Sequence, residues 1–138
     1  MTQIECQYLK YDGNQHFAKA KHQVYLKKDT VRLFSDEMHY HIKEKWASYE
    51  NGGRVINAED TLSSQEAFFD FKTNQIVFEK QVEIRNTDLR STSEYLDYNT
   101  KSKNIQLRDE VRIYTDSSTI FLDRAKHLHY NKEIRGFG

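Results

Sequence analysis

Proline is absent from this 138-residue sequence, so no turn is fixed by a pyrrolidine ring and no strand is interrupted by one. Cysteine occurs once, as Cys6, which excludes an intrachain disulfide and any multi-cysteine zinc site. A lone Cys of this kind reads as a small half-buried apolar residue. Net charge is also missing: 21 Lys and Arg balance 21 Asp and Glu, so no field selects nucleic acid or anionic lipid. No apolar run reaches 18 residues, and nothing reads as a membrane-spanning helix. Met1-Thr2-Gln3-Ile4-Glu5 lacks a basic region followed by an apolar one. The expectation is a cytosolic protein, or one whose chain begins after a removed signal or membrane anchor. Catalytic signatures are absent too: there is no Gly-rich phosphate loop, HExxH, CxxC or nucleophile elbow, and no clustered acid-base set of the kind a polysaccharide lyase needs. The chain is expected not to be an enzyme and to need no cofactor.

What is present is alternation. Charged residues are 30% of the chain, but they interleave with apolar ones instead of forming blocks, the mark of two-faced strands. Nine Tyr and eight Phe favour strands further. Strands are expected over 4–11, 17–26, 30–40, 46–49, 54–58, 62–71, 75–84, 89–98 and 105–113, with a last one through Ile120, Leu122, Leu128 and Tyr130. Asp12-Gly13-Asn14, Lys27-Lys28-Asp29, Asn51-Gly52-Gly53, Arg85-Asn86-Thr87-Asp88 and Asp116-Ser117-Ser118 read as turns. Apolar parity changes between Leu33 and Met38, which implies a bulge or bend near Phe34-Ser35-Asp36. One domain over 1–138 is expected, about ten strands in an antiparallel sandwich or a β-solenoid, with the clean alternation favouring sheets that have one wet face.

The pattern repeats. Tyr11, Tyr40, Phe71, Tyr98 and Tyr130 form an anchor series spaced 29, 31, 27 and 32. Val24-Tyr25-Leu26, Arg54-Val55-Ile56, Val82-Glu83-Ile84 and Val111-Arg112-Ile113 form a second, and Thr30-Val31, Thr61-Leu62, Asp88-Leu89 and Thr119-Ile120 a third. A period near 30 marks a tandem unit that cannot bury its apolar face alone. The paired histidines His39/His41 and His127/His129 could project together from a strand and hold a metal, but their repeat position also accepts Asp70, Asp97 and Lys10, and metal is not expected. The aromatics lack the basic groove that single-stranded nucleic acid requires. The apolar stripe itself fits either a packed core or an open sandwich with an apolar slot, where each acyl methylene buried contributes roughly 0.8 kcal/mol.

Tyr8-Leu9-Lys10-Tyr11-Asp12-Gly13-Asn14, Tyr49-Glu50-Asn51-Gly52-Gly53-Arg54-Val55, Thr61-Leu62-Ser63-Ser64 and Tyr95-Leu96-Asp97-Tyr98-Asn99-Thr100-Lys101 resemble the OstA-like family. These are periplasmic lipopolysaccharide-transport proteins of the LptA and LptC kind, here closest to the Bacteroidetes type. The likeness runs from about Tyr8 to Gly136. Gln23, Gln81 and Glu110 stand where the family often has Gly before its Val-x-Ile element; only Gly53 is near Val55. The resemblance implies a twisted, V-shaped β-jellyroll in the periplasm, a passive conduit whose interior carries lipid A acyl chains between the two membranes. It implies stacking on other such proteins, or on copies of itself, through strand edges. The lining it implies is Leu9, Tyr11, Val24, Leu26, Met38, Tyr40, Phe69, Phe71, Val82, Ile84, Leu96, Tyr98, Val111, Ile113, Leu128 and Tyr130. The competing expectation is a self-assembling β-repeat scaffold with a closed, packed core.

Overall fold

The computed structural model describes residues 2–115 and 117–128, with backbone alone for 122–128. Twelve strands follow one another with no helix among the described residues: β1 (Thr2–Glu5), β2 (Tyr8–Asp12), β3 (Phe17–Lys28), β4 (Val31–His41), β5 (Trp46–Tyr49), β6 (Gly53–Asn57), β7 (Asp60–Ser64), β8 (Glu66–Asp70), β9 (Gln75–Arg85), β10 (Arg90–Asn99), β11 (Ile105–Tyr114) and β12 (Thr119–Leu128). Every pairing is antiparallel. Strands β4-β5-β8-β9-β7-β6 close into a barrel-like ring of six; β1–β3 extend it on one side and β10–β12 on the other.

The long strands bend at their middles, and each half pairs in a different layer. Residues 17–21 of β3 pair with β2, and residues 25–28 with β1. The two halves of β4 likewise pair with β5 and β6, and those of β9 with β8 and β7. Two local devices make the bends. His22-Gln23, Lys80-Gln81 and Asp109-Glu110 all adopt left-handed backbone, φ between 53° and 69°. Gly52, with φ 92°, occupies the matching place in the remaining copy. Left-handed backbone costs a non-glycine residue roughly 1–2 kcal/mol, so Gln23, Gln81 and Glu110 make the turn expected of glycine at a cost. On the intervening strands Ser35, Ser64 and Ser93 turn their hydroxyls back to the carbonyls of Glu37, Glu66 and Tyr95, at 2.9, 2.7 and 2.9 Å. The bend expected near Phe34-Ser35-Asp36 is the first of these.

The ladder also fixes the repeat, and it is tighter than the spacing of the anchor series. One row of paired residues reads Tyr11, Ala18, Tyr40, Ala47, Phe69, Ile76, Tyr98, Ile105. Its aromatics lie 29 residues apart throughout, with Phe69 and not Phe71 as the third anchor. Phe71 lies just beyond the end of β8, on the turn, and stacks on Phe69 at 4.3 Å. Tyr130 is outside the described residues. The second series also shifts: Leu33 faces both Leu26 and Val55, so Val55 stands with Leu26, Ile84 and Ile113, and Gly53 takes the valine's place. A Cβ on Gly53 would lie 2.8 Å from the Phe34 carbonyl oxygen and 2.8 Å from the Tyr49 ring. In that copy the tyrosine ring fills the space a valine fills in the others. Turns keep the same step: Asp12, His41, Asp70 and Asn99 each accept a turn amide on a side-chain atom. A polar side chain that satisfies a free turn N–H ends each of these strands.

Candidate functional site

The inward faces of the two layers meet in one apolar interior. The row through Tyr11 runs beside a second, in which Leu9 pairs Ala20, Ala20 pairs Met38, Tyr49 pairs Ala67, Ala67 pairs Phe78, and Leu96 pairs both Phe78 and Leu107. The other layer contributes Ile4, Leu26, Leu33, Val55, Leu62, Ile84, Ser91, Ile113 and Ile120 as one unbroken row of partners. Of the expected lining, Val24, Leu26, Met38, Phe69, Phe71, Val82, Ile84, Leu96, Tyr98, Val111 and Ile113 are all buried. All but Phe71, at 6%, retain 2% exposure or less. These eleven residues belong to a single core cluster, with Tyr40 packed against it half-buried. Leu9 and Tyr11 do not join it: they are 55% and 50% exposed. Leu128 is described by backbone alone and pairs Ile105.

The interior is therefore dense in its middle and uncovered at its N-terminal end, where Ile4 and Cys6 rest against the core and Leu9 and Tyr11 extend past it. At the opposite end Ile120 is 41% exposed. Concave regions lined by Ser63, Thr92 and Glu94, by Tyr25, Phe34 and Arg54, and by Trp46, Phe68 and Glu79 lie on the outer faces.

A polar clasp joins the layers along their margin, and sequence reasoning missed it. Asn57 donates from Nδ2 to the Tyr98 hydroxyl at 2.8 Å and to the Thr100 carbonyl at 3.0 Å, and accepts from Thr30 Oγ1 at 2.8 Å. The Tyr98 hydroxyl donates to Asp60 Oδ2 at 2.8 Å, while Asn86 donates to Asp60 Oδ1 at 2.9 Å. Burial pushes the Asp60 carboxyl above the usual range; its bonds from Asn86 and Tyr98 and the charge of Lys103 pull the other way. The 29-residue step was the available signal, since it sets Asp60 at the place of apolar Val31 and Leu89. A second polar contact joins Tyr49 and Ser64 hydroxyls at 2.9 Å, and burial pushes the Tyr49 phenol up to about 12. Among the described residues every buried side-chain nitrogen or oxygen has a partner.

The histidine pair stands on the outer face. His41 Nδ1 accepts the Glu44 amide at 2.9 Å, and its ring stacks on Trp46 at 5.7 Å; His39 lies against Phe17 and 3.6 Å from Glu37. Among the described residues no three His, Cys, Asp or Glu gather as metal ligands. His127 and His129 fall outside the described side chains.

Residues 2–94 match the family described as OstA-like protein. The chain belongs to the OstA-like protein family. No curated protein matches it in sequence. Among solved structures the fold is similar to that of LptH, described as the LptA-homologous periplasmic component of the lipopolysaccharide transport device from Pseudomonas aeruginosa. The TM-score is 0.73 at 9% identity, over 88% of this chain and 94% of LptH. At that identity the likeness is one of fold. This OstA-like chain thus shares the all-β architecture while differing from LptH in almost every side chain.

Proposed function

We propose that this OstA-like chain is a periplasmic lipopolysaccharide-binding and transport protein, a single-domain jellyroll acting as a passive conduit between inner and outer membrane. The observation that carries the reading is the course of the apolar rows, which emerge from the core uncovered at Leu9 and Tyr11. Acyl chains meet Leu9, Tyr11 and Tyr40 first. Beyond them the path follows the rows through Val24, Leu26, Met38, Phe69, Phe71, Val82, Ile84, Leu96, Tyr98, Val111 and Ile113; Leu128 and Tyr130 complete the lining the resemblance implies. The positions from Val24 to Ile113 are packed, so passage requires the layers to part and the Asn57–Tyr98–Asp60 clasp to open. The outer edges of β1, β2 and β12 have no strand partner among the described residues, which suits continuation of the sheet into another transport protein or a second copy. Sugar and phosphate stay in water, and no chemistry is performed.

The full burial of the middle favours one rival, a self-assembling scaffold whose core admits nothing. A photo-crosslinking amino acid at Tyr11 in cells separates the two. Adduct to lipopolysaccharide supports transport; adduct to protein alone supports the scaffold.

A further inference from the structure

The outer faces carry a recurring contact of their own, independent of what the interior carries. Four arginines sit over an aromatic ring directly across the ladder: Arg54 over Phe34 at 4.8 Å, Arg90 over Tyr114 at 4.6 Å, Arg108 over Tyr95 at 3.8 Å and Arg112 over Phe121 at 5.3 Å. Like Phe17, Tyr25 and Trp46 on the same outer faces, Phe68 on β8 has no arginine across from it. It is 44% exposed, and its cross-strand partners are Ser48 and Val77, neither a cation. One side of its ring stacks on Trp46 at 5.4 Å.

Beside it lies a second irregularity. Glu66 and Glu79 are direct cross-strand partners, a like-charge pairing that opposes sheet formation. Lys80 pairs Glu66 at 2.9 Å and reaches Glu79 through its charge alone. Glu79 and the neighbouring Glu50 have no hydrogen bond or ion pair among the described residues. Trp46, Phe68, Glu50, Glu66 and Glu79 line one trough of about 290 Å³. A ring without its cation and carboxylates without theirs therefore face the same space. An incoming guanidinium would satisfy both, through the ring quadrupole and through charge-assisted hydrogen bonds.

We propose that this trough receives an arginine side chain carried by an extended segment of a partner protein. Charge complementarity selects that occupant, and arginine is the cation this sheet already places over four outward-facing rings. Trp46 is the sole tryptophan of the chain, so its emission reports on the trough directly. The test titrates the whole protein with the peptide acetyl-Gly-Arg-Gly-Arg-Gly-amide and with the same peptide carrying citrulline, which keeps the shape and loses the charge. The expected result is a saturable change with the arginine peptide alone, weakened at least about tenfold in Phe68→Ala and in Glu79→Gln. Glu79→Gln removes a repulsion and leaves the fold intact, so it decides the matter if Phe68→Ala fails to fold. Equal responses to the two peptides, no saturable response at millimolar peptide, or unchanged binding in Glu79→Gln overturns the proposal. A response to phosphatidylethanolamine vesicles with none to the arginine peptide overturns it as well.

Discussion

Tyr11 and Tyr98 occupy the same place in the 29-residue unit and the same row of the ladder, yet one is half exposed and the other is 0% exposed. Residue type does not explain the difference. Tyr98 has strands on both sides and a second layer above it, whose Asn57 and Asp60 hold its hydroxyl. Tyr11 sits on β2, at the end of the sheet, where no further unit among the described residues covers it. A tandem module writes the same apolar face into every copy, and only neighbours bury it. The N-terminal end is thus an interior surface without its lid, and the middle shows what covering it accomplishes.

The largest effect belongs to the middle: Phe78→Ala removes a fully buried ring and costs about 3–5 kcal/mol, whereas Leu9→Ala at the uncovered end costs under about 1 kcal/mol. Urea unfolding monitored by circular dichroism checks both, and equal losses would erase the distinction between the regions. Next comes Gly53→Ala, whose added methyl meets the Phe34 carbonyl and the Tyr49 ring at 2.8 Å and costs about 1–3 kcal/mol. A thermal shift no larger than that of Gly13→Ala, where the nearest atom is 3.7 Å away, would contradict the tight approach. Asn57→Ala leaves the Tyr98 hydroxyl, Thr100 carbonyl and Thr30 hydroxyl short of a partner and costs about 1–3 kcal/mol.

The smallest effect is one of pH. Because the folded-state pKa of Asp60 is raised above its ordinary value of 3.8, the folded protein holds this proton longer than the unfolded chain does. The group therefore favours folding most below 3.8, and that contribution is lost as pH climbs through the raised value. Asp60→Asn removes the dependence. The gap in melting temperature, parent minus variant, is expected to narrow or reverse as pH rises from acid to neutral, and a gap that widens in the parent's favour would contradict the burial of this carboxyl.

Most of the strands were legible in the sequence because alternation has period two and the two faces differ sharply: Ile76, Phe78, Val82 and Ile84 point inward and Glu79 and Glu83 outward. The bend at Ser35 was legible from the parity change between Leu33 and Met38. The register was less so. Phe69 and Phe71 share a parity at the end of one strand, and only the ladder shows which one faces Ala47. Val55-Ile56 resembles the other valine elements until the Tyr49 ring is seen to occupy the valine's space. Asn57 and Asp60 escaped notice because a buried polar residue looks like a turn residue until its partner, here Tyr98 some forty positions on, is known. Composition could not separate an uncovered end from a packed middle, since the same residue types line both.

Cys6 offers the most direct measurement, on the parent protein without substitution. It is the single thiol, half-buried, and it rests against the core at the uncovered end. Its rate of modification by a maleimide, followed at dilute protein with and without lipopolysaccharide, reports whether lipid occupies that end. Saturating lipopolysaccharide is expected to slow the reaction several-fold, while the delipidated sugar portion leaves it unchanged. A rate that lipopolysaccharide does not alter would contradict lipid binding there.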